Sequence, residues 1–154
     1  MNVSLPVAVS KLPKIAIRAL STTGAAMAKK MNRTVARVVR SDPDLGESEM
    51  YAELLGRISR ARSRVWLTFG YFVPDPRTKQ VLIDAARRGV DVEIVLPGFS
   101  DFWAPVYAGR SNYAELLAAG VRIFEWHEAL MHAKTAVIDG VWSSVGSTNL
   151  DWRS

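Results

Sequence analysis

Residues 64–96 read RVWLTFGYFVPDPRTKQVLIDAARRGVDVEIVL, and this stretch decides the fold. Its opening RVWLTFG is aromatic, β-branched and nearly free of charge, the composition of a buried strand. Asp75 followed by Pro76 is a strong helix start. The carboxylate can accept from the first free N–H groups, and the fixed φ of proline suits the first helical position. Val81, Leu82, Ala85 and Ala86 are expected to face the core, and Gly89 to end the helix. Residues 91–96, DVEIVL, read as the next strand.

The alternation continues in both directions. Upstream, residues 35–40 form a short β-branched run, which Asp42-Pro43-Asp44 interrupts. Ser48 is placed to cap a helix extending to about Ala61, with Tyr51, Leu54, Leu55 and Ile58 on its buried side. Downstream, residues 97–100 leave the strand as a loop. A helical stretch then ends at residues 113–119, with Gly120 just past it. Residues 121–126 read as a strand, and residues 131–138 and 141–145 as two more. The last two flank Asp139-Gly140, a pair that favours a type I′ turn. Strands separated by helices of roughly 10–15 residues predict an α/β sandwich, a mainly parallel sheet flanked by helices. Trp66, Trp126 and Trp142 fall in strands and are expected in the core.

With 154 residues, 49% of them hydrophobic and 23% charged, the chain can bury the core of one ordinary domain. Zero cysteines exclude disulfides and thiolate metal sites. No uncharged run approaches the roughly 18 apolar residues that read as a membrane span. Membrane contact is therefore expected to be peripheral, or made through another chain. The net charge of +5 is unevenly spread: residues 1–41 hold eight basic residues and no acid, whereas residues 42–154 hold 12 basic and 15 acidic ones. Residues 1–35 accordingly read as a basic leader or linker, with contact to an anionic surface or a transit signal as alternatives. Residues 36–154 read as the domain.

Residues 131–149, MHAKTAVIDGVWSSVGSTN, carry the chemistry. His132 and Lys134 are two apart, so an extended strand would project both from one face. The turn at Asp139 sends the chain back, Gly146, Ser147 and Asn149 follow the return strand, and the hairpin is expected to bring Ser147 and Asn149 alongside His132 and Lys134. This set suits attack on a phosphodiester. Histidine can act as nucleophile or proton donor near neutral pH. Lysine supplies a point charge for non-bridging oxygens, Ser and Asn supply neutral donors, and glycine lets the backbone approach closely. No carboxylate cluster suited to magnesium or zinc accompanies these residues in the sequence, so neither metal nor cofactor is expected.

The order His132-x-Lys134, Asp139, Gly146-Ser147-x-Asn149 resembles the signature of the phospholipase D superfamily at every defining position. Tyr71-Phe72-Val73-Pro74, Arg88-Gly89-Val90-Asp91-Val92, Leu96-Pro97-Gly98, Ser100-Asp101, Ala119-Gly120-Val121-Arg122-Ile123 and the run from Gly146 to Ser154 resemble its cardiolipin synthase branch. The resemblance implies a phospholipase D-like sandwich and one half of a two-lobed enzyme in which two signatures meet. It implies phosphatidyl transfer between phosphatidylglycerol molecules through a phosphohistidine. His132, Lys134 and Asp139 would form the catalytic set, with Asp139 supporting the hairpin, while Gly146, Ser147 and Asn149 would bind phosphate beside Lys134.

The partners implied are anionic phospholipid and a second lobe or a second copy; nucleic acid is not expected. The expected location is peripheral, on the cytoplasmic face of the membrane. One signature is present, and the family's Glu beyond the Asn is not reached, so the lobe is expected to be truncated and incomplete at its C-terminus. A homodimeric metal-independent phosphodiesterase or nuclease, and an inactive lobe, remain the alternatives. His127 is expected to be structural or superficial, Trp103 and Tyr107 to pack on the sheet or form a lipid-facing rim, and Arg60, Arg62 and Arg64 to mark a solvated helix end.

Overall fold

The structure is a computed structural model that describes residues 36–39, 49–100, 108–147 and 150–151. The chain divides into a unit ending at Val38 and a unit from Val39 onward, and every element below belongs to the second. In order these are α1 (Glu49–Arg60), β1 (Arg64–Phe69), β2 (Phe72–Val73), α2 (Pro76–Arg87), β3 (Asp91–Pro97), α3 (Tyr113–Ala118), β4 (Arg122–Trp126), β5 (Lys134–Ile138), β6 (Trp142–Val145) and β7 (Leu150–Asp151).

Five strands form one sheet in the order β4-β3-β1-β5-β6. β1, β3 and β4 run parallel, with Leu67 opposite Ile94 and Ile94 opposite Ile123. Helices α2 and α3 lie in the crossovers between them, as parallel neighbours require. β5 joins the other side of β1 in antiparallel sense, and β6 returns along β5. The expected α/β sheet is thus present, with the hairpin supplying an antiparallel margin.

Alternation sorts the sheet into two faces. Val65, Leu67, Phe69, Val92, Ile94, Leu96, Ala136 and Ile138 are buried on one of them and share a single cluster with Leu54, Leu55, Ile58, Leu82, Ile83 and Leu116 of the helices. Each fully buried aliphatic side chain here contributes about 1.5–3 kcal/mol relative to exposure. On the opposite face Trp66, Thr68, Glu93, Val95, Thr135 and Val137 are only half-buried. The expectation that three tryptophans lie in the core is corrected accordingly. Trp66 and Trp126 belong to the half-buried face, and Trp142, on the edge strand, only abuts the cluster, with Arg57 stacked over its ring at 5.7 Å.

The helices form largely where the sequence signals them. α1 buries Tyr51, Leu54, Leu55 and Ile58 as expected; its proposed cap, Ser48, lies outside the described residues. Asp75 caps α2, its Oδ1 accepting from the Thr78 N–H at 2.6 Å, with Pro76 at the first position. The buried side of α2 is Thr78, Leu82, Ile83 and Ala85, so Val81 and Ala86 are more marginal than their periodicity predicts. Thr78 is buried on that side instead, its hydroxyl hydrogen-bonded to the Tyr51 hydroxyl of α1. Gly89 and Gly120 follow α2 and α3 with φ of 86° and 95°, the left-handed geometry expected at these ends.

Two strand readings need correction. Of the run expected over residues 35–40, the described residues 36–39 are irregular and Val38 is 97% exposed, so β-branched composition alone does not make a strand there. The strand expected from residue 131 begins only at Lys134. Beyond Phe69, the partner of Lys134, β1 has ended at Gly70, so nothing extends the ladder to His132. No helix among the described residues is long and apolar enough to cross a membrane.

Candidate active site

The sheet's connectivity assembles one edge. β1, β3 and β4 end there at Phe69, Pro97 and Trp126, and antiparallel β5 starts there at Lys134. β6 finishes there at Val145, and the Gly146 N–H continues the hairpin ladder by donating to the Lys134 carbonyl at 3.1 Å. The carboxyl ends of parallel strands are where open α/β sheets place their ligands.

His132 stands at this edge, just before β5, and is exposed. Its imidazole lies on Gly70 with Nδ1 on the inner side: a Cβ on residue 70 would come within 3.0 Å of Nδ1 and 3.2 Å of the His132 Cα. Tyr71 meets the ring edge-on, centroids 5.6 Å apart and planes at 80°. The ring is held by a small residue beneath it and an aromatic beside it, with Nε2 on the side away from Gly70.

Lys134 points to the buried face with Phe69, its register partner, and is 8% exposed. Its Nζ donates to the His132 carbonyl at 3.0 Å, which ties the ammonium to the residue carrying the imidazole. Burial pushes its pKa below the ordinary lysine value, because a desolvated ammonium is disfavoured. The structure therefore brings His132, Lys134 and Gly146 to one edge, with exposed Ser147 next in chain; Asn149 lies outside the described residues.

Asp139 is elsewhere. It sits in the turn at the opposite edge, five residues along β5 from Lys134, or about 17 Å at ordinary strand rise. At that place the carboxylate is bonded to the chain segment that leads into β1. It accepts from the N–H groups of Arg62 at 3.0 Å, Ser63 at 2.8 Å and Arg64 at 3.0 Å, and from the Ser63 hydroxyl at 2.9 Å. Those backbone bonds hold its carboxyl well below the usual carboxylate range. The turn has φ of 53° at Asp139 and 69° at Gly140, the two positive values a type I′ turn demands, and the Val141 N–H closes it onto Ile138 at 3.2 Å. Pairing of Ile138 with Trp142 leaves Val141 as an extra, exposed residue, so β6 starts one position later than expected.

Three features were not anticipated from the sequence. The first is the seat of His132 on Gly70 and Tyr71; the Gly-Tyr pair directly after a strand was the available signal. The second is a polar cluster further along the same edge. Arg110 grips Glu125 through Nε at 2.8 Å and Nη2 at 2.9 Å, and also donates to the Gly98 carbonyl at 3.2 Å. Glu125 is 7% exposed, with His127 Nε2 at 3.6 Å; the imidazole of His127 covers Gly98, where any side chain would collide with it. Tyr113 beside them is pushed up by burial, then by the Glu125 charge. These contacts give His127 a packing role on a half-exposed surface. The third is a two-stranded parallel sheet of β2 and β7, pairing Phe72 with Leu150. Strands of two residues carry no periodicity to read. Trp103, Tyr107 and Asp101 lie outside the described residues.

Comparison with known proteins bears on the fold and on the family. The fold is that of the phospholipase D family member Nuc from Salmonella typhimurium, with a TM-score of 0.56 over 66% of this chain and 64% of that one at 22% identity. A family model described as the cardiolipin synthase, PLD-like domain matches residues 54–154, and the chain belongs to that family. Curated relatives include cardiolipin synthase A of Proteus mirabilis, 36% identical over 126 residues, and a probable cardiolipin synthase, YwiE, of Bacillus subtilis, 37% identical over 120 residues. These alignments cover 82% and 77% of this chain but 26% and 23% of the relatives, so the chain spans about a quarter of their length.

Proposed function

We propose that this domain is a phosphatidyltransferase lobe that moves a phosphatidyl group from one phosphatidylglycerol to another. In the first step an imidazole nitrogen forms a bond to phosphorus, the bond to the leaving glycerol oxygen breaks, and a proton passes to that oxygen. In the second the hydroxyl of another phosphatidylglycerol gives up its proton, attacks phosphorus and releases the imidazole. Two imidazoles are needed, one as nucleophile and one as acid and base. His132 is one of them, in the acid–base role; the other comes from a second lobe or a second copy. Lys134, the Gly146 backbone, Ser147 and Asn149 hold the phosphate oxygens, and Asp139 braces the hairpin. Preplaced donors of this kind act on the charge that develops in the transition state. Residues 36–154 are the lobe, residues 1–35 a basic leader or linker, and the assembly works peripherally on the cytoplasmic face of a membrane without metal or cofactor.

The observation that supports this reading most is the tie of Lys134 both to the His132 carbonyl and to the Gly146 N–H, which keeps ammonium, imidazole-bearing backbone and the glycine turn in one place. The test is to incubate the protein with phosphatidylglycerol vesicles in the presence of chelator and measure cardiolipin and glycerol by mass spectrometry. Equal amounts of the two products are expected. No product, with the protein alone or supplemented with a separately expressed lobe bearing another such signature, would overturn the proposal.

A further inference from the structure

The hairpin and α1 do not close against each other at the edge where Lys134 begins β5. Between them lies a cleft lined by Met50, Tyr51 and Leu54 of the helix and by Phe69, Lys134, Ser144, Val145 and Gly146 on the side of the sheet. Phe69 and Lys134 are register partners, so the phenyl ring and the ammonium stem project side by side into this space. The cavity is about 40 Å3 and takes a few water-sized groups. Its lining is mostly carbon, and Lys134, which contributes to it, is a buried lysine whose pKa burial lowers.

A cation meant only for a hydrated phosphodiester would be served as well by a solvated surface. A lysine lining a mostly apolar cleft, its ammonium held at the His132 carbonyl, matches a ligand that is anionic at one point and hydrocarbon immediately beside it. We infer that this cleft is a subsite for the apolar part of the substrate lipid adjoining its phosphate, taking the glyceryl ester region and the first methylenes of one acyl chain. The inference rests on the transferase reading above and adds to it where the hydrocarbon lies. The cavity's size limits it to that short stretch; the remainder of the chain stays in the bilayer. Met50, half-buried in the lining, is an unbranched and adaptable wall for ligands of varying shape.

The cleft can be mapped without turnover. A phosphatidylglycerol bearing a diazirine close to one ester carbonyl, presented to the full chain in detergent micelles, is photolysed and the labelled peptides are sequenced. Labels are expected on Met50, Leu54 and Phe69. An unlabelled short-chain phosphatidylglycerol should compete them away, whereas glycerophosphoglycerol, which has the same phosphodiester and no acyl chain, should not. Ser144→Phe fills the cleft from the edge strand, and Met50→Trp narrows it from the helix. Each should lower labelling about tenfold, the worth of one or two methylenes returned to water.

Labels on other surfaces, or labelling indifferent to both variants, would overturn the subsite. Competition by glycerophosphoglycerol as effective as by the lipid would do so too. The two readings fail separately. Labelling in the cleft by a protein that makes no cardiolipin keeps the subsite and removes the transferase, while cardiolipin formed with labels elsewhere does the reverse.

Discussion

The β5–β6 hairpin has two ends that are built on opposite principles. At the turn, one carboxylate is surrounded by three backbone N–H groups and a hydroxyl, and every one of those contacts favours its charged form. At the other end, one ammonium is buried among apolar walls that disfavour its charge. The same pair of strands thus joins a charge that stabilises the fold to a charge that the fold tolerates. On the proposed reading the first charge is structural, satisfied by its surroundings, and the second is kept for a phosphate.

That contrast can be broken at several points. The largest effect belongs to His132→Ala: transfer activity should fall about a thousandfold or more, the scale of losing a nucleophile or an acid–base group. Because His132 is exposed, the calorimetric melting temperature should stay where it is. Activity left intact would remove the functional end of the comparison altogether.

Lys134→Met should lower kcat/KM about a hundredfold through loss of a preplaced positive charge. Thermal stability should hold or rise, since a chain of similar volume replaces a desolvated ammonium. A marked drop in the unfolding midpoint would show that this end, too, is braced by its charge.

Asp139→Asn is the mirror experiment. It keeps a residue type that accepts positive φ but removes the ionised acceptor, at an expected cost of about 2 kcal/mol, some 30-fold in the folding equilibrium. Rates per folded molecule should not change. Since the folded carboxyl titrates below its unfolded value, its stabilisation is complete above the ordinary carboxylate range near pH ~4 and disappears as pH falls beneath it. Urea unfolding across that acid window should slope for the native protein and be flatter for the variant.

The smallest effect sharpens the functional end. Gly70→Ala puts a methyl within 3.0 Å of His132 Nδ1, so the imidazole must shift by a few tenths of an ångström. Steady-state kinetics should show kcat reduced about tenfold with KM little altered, because the phosphate-holding groups do not move.

Most of the scaffold was legible because its signals are local. Asp75-Pro76 announces α2, the spacing of Tyr51, Leu54, Leu55 and Ile58 announces α1, and Asp139-Gly140 announces the turn. The hairpin itself was legible, its two strands and turn falling close to where residues 131–145 announce them, whereas the bond from the Gly146 N–H to the Lys134 carbonyl was not read. What escaped was set by contacts between distant parts of the sequence. Thr78 is polar and was not read as core, yet the Tyr51 hydroxyl 27 positions away makes its burial possible. Asp139 was grouped with His132 and Lys134 by its place in the motif, whereas its partners are Arg62, Ser63 and Arg64, more than 70 positions upstream. The strand face bearing Trp66 was read as core because its residues are large and apolar, and alternation in that run is too weak to show which side is covered.

β1 serves as the molecule's ruler. Its first residues grip the turn of the hairpin, and the pair directly after its last residue seats the imidazole. The distance between the two is therefore one strand length, read off twice, once on each partner. Inserting or deleting a single residue within β1 would shift both fittings out of step at the same moment and exchange its two faces. Errors in this strand have no mild version: brace and seat are calibrated against the same scale, and they are lost together.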